Sequence, residues 1–229
     1  MTPADTDRLR SFGRTGGRPL SPRRQGLMET LLPRLSVPET GAAGLKPMQL
    51  FARAQEVWLE IGFGGGEHLL GQAEAHPEVG LIGCEPFDDG MAKALAGIEA
   101  RQLENVRLHH GDGRAVLDRL ADRSLARIYL LFPDPWPKRR HWKRRIVQPA
   151  FTAELARVLK PGGEVRFATD VASYADEALL AFRQTPGLTW TAARAADWRD
   201  APADHVTTRY QSKRLGDCAP VFYAFVKSA

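Results

Sequence analysis

From Glu56 onward, short apolar blocks alternate with stretches of helical periodicity. Val57-Trp58-Leu59-Glu60-Ile61 has the length and composition of a buried strand, and a glycine-rich turn and a helix-like stretch follow it. Val79–Glu85, Asn105–His109, Arg127–Phe132 and Val165–Ala168 predict four more strands. Ala, Leu and Ile recur at helical spacing over Asp88–Gln102, and Gln148–Leu159 and Val171–Gln184 predict two further helices. Pro161-Gly162-Gly163 stops the second of these three. Leu188–Ala192 and Val221–Val226 are candidate last strands. Strands alternating with helices imply an α/β fold, a largely parallel twisted sheet with helices on both faces. In such sheets ligands bind outside the carboxyl ends of the strands.

The first 50 residues differ. Arg8, Arg10, Arg14, Arg18, Arg23 and Arg24 are interspersed with glycines and prolines, which predicts a basic, flexible or loosely packed arm over residues 1–50. Within it, Gly26–Leu35 predicts a short helix broken near Pro33. Residues 51–229 then form one domain, as a chain of 229 residues allows. No apolar run approaches the roughly 20 residues that span a bilayer, and the first residues lack the apolar core of a secretory signal. Cys84 and Cys218 form neither a disulfide framework nor a zinc spacing, so a reducing cytoplasm is expected.

The first strand ends in Glu60-Ile61-Gly62-Phe63-Gly64-Gly65-Gly66. This is not the GxGxxG of dinucleotide sites, and no GxxxxGK[ST] phosphate loop occurs. The pattern is ExGxGxG, with an acid where a phosphate would be repelled and an amino group welcomed. It resembles the first motif of class I S-adenosylmethionine methyltransferases, whose Rossmann-like fold matches the strand–helix alternation. Glu85 ends the second strand, where a carboxylate accepts ribose hydroxyls. Asp112 follows the third, where a carboxylate suits an exocyclic amine. His109 and His110 read as strand-end residues, and no metal is expected.

The fourth strand runs into Phe132-Pro133-Asp134-Pro135-Trp136-Pro137-Lys138, whose three prolines make a stiff loop that fixes Asp134 and Trp136. Lys138 to Arg145 then reads KRRHWKRR, with six Lys/Arg in eight residues. These six exceed the whole net charge of +5, so the basicity is local. A one-signed run interleaved with His141 and Trp142 suits phosphates and bases.

At these residues the chain resembles the bacterial tRNA (guanine-N7-)-methyltransferases, over roughly residues 56–226. Their hallmarks are the PDPW-K loop and the R-H-x-K-R-R run, here Pro133 to Lys138 and Arg140-His141-Trp142-Lys143-Arg144-Arg145. Ala168-Thr169-Asp170 with Tyr174, and Thr208-Arg209-Tyr210-Gln211, continue the likeness. The resemblance implies methyl transfer from S-adenosyl-L-methionine to N7 of a guanine in tRNA, at position 46 of the variable loop. It implies that Glu60, Gly62, Gly64, Glu85, Asp112 and Asp134 contact the cofactor, with Asp134 catalytic. Lys138, Asp170, Thr208, Arg209, Tyr210 and Gln211 become substrate contacts, and Arg140, His141, Trp142, Lys143, Arg144 and Arg145 the RNA grip. One position departs: the last segment of the family ends in Glu, and here it ends in Gln211. Two readings stand as alternatives, a class I methyltransferase for another RNA, a protein or a small molecule, and a non-catalytic RNA-binding protein on the same scaffold. The sequence leaves monomer and homodimer open.

Overall fold

A computed structural model describes residues 19–38 and 44–229. Seven strands, β1 (Glu56–Ile61), β2 (Val79–Cys84), β3 (Val106–His109), β4 (Leu125–Leu131), β5 (Leu159–Thr169), β6 (Leu188–Trp190) and β7 (Val221–Lys227), form one sheet in the order β3-β2-β1-β4-β5-β7-β6. The first five run parallel, and β7 inserts antiparallel between β5 and β6. The helices are α1 (Pro22–Thr30), α2 (Leu32–Leu35), α3 (Glu67–Ala75), α4 (Asp88–Arg101), α5 (Gly113–Leu117), α6 (Pro149–Val158), α7 (Ala172–Gln184), α8 (Ala196–Arg199) and α9 (Arg209–Ser212). This is the α/β architecture that the alternation predicts, with a largely parallel sheet.

The period of two along β1 builds two cores. Val57, Leu59 and Ile61 face one side, with Phe151 and Leu155 of α6 and Tyr174 and Phe182 of α7. Trp58 faces the other, with Leu69 and Leu70 of α3 and Met91 and Leu95 of α4. Glu60 shares the face of Trp58, and its side chain therefore meets α3 rather than solvent.

Two elements differ from the sequence expectation. Pro161-Gly162-Gly163 does not merely end α6, because strand β5 begins at Leu159 and runs through it. Pairing shifts between Leu125↔Leu159 and Arg127↔Glu164, so the Pro-Gly-Gly stretch is absorbed as a bulge, with Gly162 at φ 76°. The second difference is the supposed loose arm, which over residues 19–38 is folded onto the domain. Ser21 caps α1, Leu27 is buried against the α4 side of the core, and Val37 N–H donates to Leu108 O at 2.9 Å. Arg24 and Arg23 reach Asp89 and Glu99 of α4, each at 3.0 Å. Leu27, Leu31 and Leu35 recur every fourth residue and form an apolar stripe. The abundance of Arg, Gly and Pro obscured that stripe. The helix break falls at Leu31, and Pro33 sits in the first turn of α2, where its missing N–H forfeits no bond. Residues 1–18, with Arg8, Arg10, Arg14 and Arg18, lie outside the described residues.

Leu27→Ala is expected to lower stability by about 2–3 kcal/mol, as a core truncation does. The check is urea unfolding, with a lower midpoint at unchanged slope. A loss of a few tenths would mean that the segment is not part of the cooperative unit.

Candidate active site

The carboxyl ends of β1, β2 and β4 open into a cavity of about 410 Å³. Its floor is the loop after β1, where Gly62, Gly64 and Gly66 have φ of 76°, 57° and 83°. These left-handed values suit glycine and strain residues that carry a Cβ. The loop is pressed onto α4: a Cβ at Gly90 would collide with the carbonyl oxygen of Gly64.

Acids converge on this floor. Glu85 is buried, and its two carboxylate oxygens accept from the backbone N–H groups of Gly64 at 2.8 Å and Phe87 at 3.0 Å. Burial nevertheless pushes its carboxyl above the usual glutamate range. Asp112 caps α5, accepting from Arg114 N–H at 3.0 Å, and it also pairs with the Arg114 guanidinium. Glu60 is buried, and its Oε2 accepts from His68 Nδ1 at 2.8 Å. Of the cations in the wall, Lys93 pairs with Asp89 and Arg114 with Asp112, and Arg144, Arg209 and Lys213 line the cavity as well. A floor of glycines and acids fits an amino group and ribose hydroxyls better than a pyrophosphate.

The Pro-Asp-Pro-Trp loop closes the cavity on the β4 side. Phe132 and Trp136, which flank it, are both left-handed, at φ 49° and 44°. Such conformations at bulky residues cost of order 1–3 kcal/mol each and persist only where the surroundings impose them. Phe132 N–H donates to Ala168 O at 2.7 Å, and its ring lies 5.8 Å from that of Tyr210. Asp134 is exposed to the cavity, yet the walls withhold enough water to push its carboxyl above the usual aspartate range.

Arg139–Arg144 winds into a 3-10 turn. Arg139, Arg140 and Lys143 are exposed, and His141 and Trp142 are half-buried. Arg144 lies in the cavity wall with its guanidinium 5.0 Å from the Trp136 ring centre. Arg145 is different: it is 0% exposed. It donates Nε to Pro135 O at 2.8 Å, one terminal nitrogen to Ser173 O at 3.1 Å and Glu177 Oε2 at 2.6 Å, and the other to Ser173 Oγ at 2.9 Å. Its plane is flanked by the rings of Trp142 at 4.4 Å and Tyr174 at 4.7 Å.

The model of a family described as "Putative methyltransferase" matches residues 54–222. The tRNA (guanine-N(7)-)-methyltransferase of Hyphomonas neptunium is 55% identical over 217 residues, covering 95% of this chain and 99% of its own. That of Caulobacter sp. (strain K31) is 55% identical over 220 residues, covering 96% and 95%. The chain belongs to the tRNA (guanine-N(7)-)-methyltransferase family. Among solved structures, a 16S rRNA methyltransferase, KamB, superposes with a TM-score of 0.59 at 15% identity, covering 83% of this chain and 96% of its own. At that identity the likeness shows the fold alone.

In this family member the residues expected at the cofactor, Glu60, Gly62, Gly64, Glu85, Asp112 and Asp134, all line the one cavity. Of the expected substrate contacts, Thr208, Arg209 and Tyr210 line it too. Lys138 is exposed beyond its wall. Asp170 is buried, and its Oδ2 accepts from Gly216 N–H at 2.9 Å, holding the loop that leads into β7. Gln211 Oε1 accepts from His205 Nε2 at 2.7 Å. Arg145 stands apart from the expected RNA grip: its guanidinium has no exposed surface and spends four of its five N–H donors within the protein. The signal was present in the turn from KRRHWKRR to apolar Ile146-Val147, where the chain re-enters the core. His68 and His205 also escaped the sequence reading, since neither sits in a motif.

Arg145→Ala is expected to destabilise the fold by about 3 kcal/mol, through lost hydrogen bonds and a partner carboxylate left without its cation. Denaturant unfolding measures it, and a loss under about 1 kcal/mol, as for an exposed ion pair, would contradict the clamp.

Proposed function

We propose that this chain transfers a methyl group from S-adenosyl-L-methionine to N7 of a guanine in tRNA, forming 7-methylguanosine, with position 46 of the variable loop as the target. One observation carries the reading: the loop that holds Asp134 in the wall of an acid-lined cavity continues directly into an exposed run of cations. Lys138, the first cation of the run, follows Asp134 by four residues, so a cofactor cavity and a phosphate-binding surface adjoin along the chain.

Glu60 offers the charge for the cofactor's amino group, Glu85 the acceptors for ribose hydroxyls, and Asp112 an acceptor for an exocyclic amine. S-adenosyl-L-methionine, when bound, supplies an electrophilic methyl carbon on a sulfonium. Guanine N7 has a lone pair and no proton, so no general base is needed to free it. What remains for the protein is alignment of N7 with the methyl carbon and stabilisation of the positive charge that the purine acquires. A carboxylate in a loop with its backbone held on both sides suits that second task, so Asp134 orients and stabilises. Arg139, Arg140 and Lys143, with the partly exposed rings of His141 and Trp142, face solvent on one turn and bind the RNA backbone. Cytoplasmic tRNA is the natural substrate pool for a chain whose Cys84 and Cys218 are free thiols.

Nucleoside mass spectrometry of tRNA incubated with the protein and S-adenosyl-L-methionine is expected to reveal 7-methylguanosine and no other new methylated base. Asp134→Asn should lower turnover by about 100-fold or more, as loss of a charge-stabilising group does, with the tRNA still bound. Wild-type turnover in that variant would remove Asp134 from the chemistry, and another methylated nucleoside would replace the proposed reaction.

A further inference from the structure

The segment Thr208–Gln211 reaches the cavity on the short helix α9, capped by Thr208 and paired with no strand, so tertiary contacts must fix it. Two consecutive residues do so from below. Asp204 accepts through its carboxylate from Arg166 at 2.6 and 2.8 Å and from Arg127 at 3.3 Å, and through its backbone oxygen from Gln72 Nε2 at 2.6 Å. Strands β5 and β4 and helix α3 thereby grip one residue. Although burial alone would raise it, the two guanidinium groups pull the Asp204 carboxyl below the usual aspartate range.

His205 follows and turns the grip toward the site. Its ring sits edge-on to Phe222 of β7 at 5.0 Å and lies 5.8 Å from the ring of His68. Burial lowers its pKa from the usual histidine range. Gln211 presents an oxygen at 2.7 Å, which only accepts, so Nε2 of His205 carries the proton. His68, on the other side, spends Nδ1 on Glu60 and meets Gln72 through Nε2 at 3.4 Å. One polar cluster, buried at Glu60, His68 and Gln72 and half-buried at Asp204, His205 and Gln211, therefore reaches from the cofactor wall to the substrate segment. The amide at 211 is uncharged, and a glutamate there would add a third carboxylate to a cluster that already holds Glu60 and Asp204.

We infer that His205 is a positioning residue for methyl transfer, holding Gln211 and the segment Thr208–Gln211 in register with the cofactor cavity through the Asp204–His205 clasp. It touches neither cofactor nor substrate and acts through the segment it fixes. The inference rests on the proposed function, since it assigns the segment to the substrate guanine.

The test compares His205→Leu, which removes the donor, with His205→Gln, which keeps an N–H near the same place. Turnover is expressed per binding site for S-adenosylhomocysteine, so that misfolded protein does not count. His205→Leu should lower kcat about tenfold, the equivalent of one well-formed hydrogen bond. Affinity for S-adenosylhomocysteine and KM for tRNA should stay within about twofold, because the basic turn still holds the RNA. His205→Gln should recover most of the loss. Should His205→Leu not fold, Asp204→Asn leaves the His205–Gln211 bond in place and loosens its root, and the same drop in kcat is expected. Unchanged kcat in the folded variants, or a His205→Gln as impaired as His205→Leu, would overturn the inference while the wild type remained active. A wild type that makes no 7-methylguanosine would instead overturn the functional reading beneath it.

Discussion

Burying a guanidinium is expensive, and Arg145 is buried completely. The cost is offset because four donated hydrogen bonds, the Glu177 carboxylate and two aromatic faces surround it. The consequence lies at its first partner. Pro135 O is the carbonyl next to Asp134, between two bulky residues with left-handed backbone. That strained loop has little regular structure to hold it, and a bond from Arg145 ties it to helix α7 through Ser173 and Glu177. The position of Asp134, the closing wall of the cavity and the point from which the basic turn departs all depend on this clamp.

The charges then sort themselves by depth. Acids lie at the strand ends inside the cavity, and burial pushes two of them, Glu85 and Asp134, above their ordinary range. Cations are exposed on the adjoining turn. Under the proposed function, a cationic methyl donor relieves the first set and an RNA backbone relieves the second. The sequence of the loop thus places an acid-lined wall and an exposed cationic turn side by side, with Pro133, Pro135 and Pro137 stiffening the chain between them.

Much of this was legible in the chain. The alternation of Val57, Leu59 and Ile61 with Trp58 and Glu60 predicts a strand buried on both faces, and ExGxGxG predicts the loop whose three alternate glycines have positive φ. The acids at successive strand ends converge on the cavity because a parallel sheet brings those ends together. What was hidden depends on tertiary partners. Arg145 reads as one more cation in KRRHWKRR, and its partners Pro135, Ser173 and Glu177, the last 32 residues on, reveal it as structural. Leu27 belongs to a helix that needs α4 to be stable, so local composition misread it. Pro161-Gly162-Gly163 carries the same residues whether it stops a helix or bulges a strand, and the pairing with β4 decides. His205 gains its meaning from Gln211 and His68, which lie on different elements.

The central claim is that Arg145 shapes the loop and its neighbours on the basic turn bind the RNA. The direct measurement is the salt dependence of tRNA binding, set beside single-turnover methylation, in Arg145→Met and in Arg140→Ala. The account predicts that Arg140→Ala flattens the dependence of log affinity on log salt by about one contact's worth and leaves the chemical step intact. Arg145→Met should keep the wild-type slope and slow the chemical step. A flattened slope with normal methylation in Arg145→Met would contradict the account.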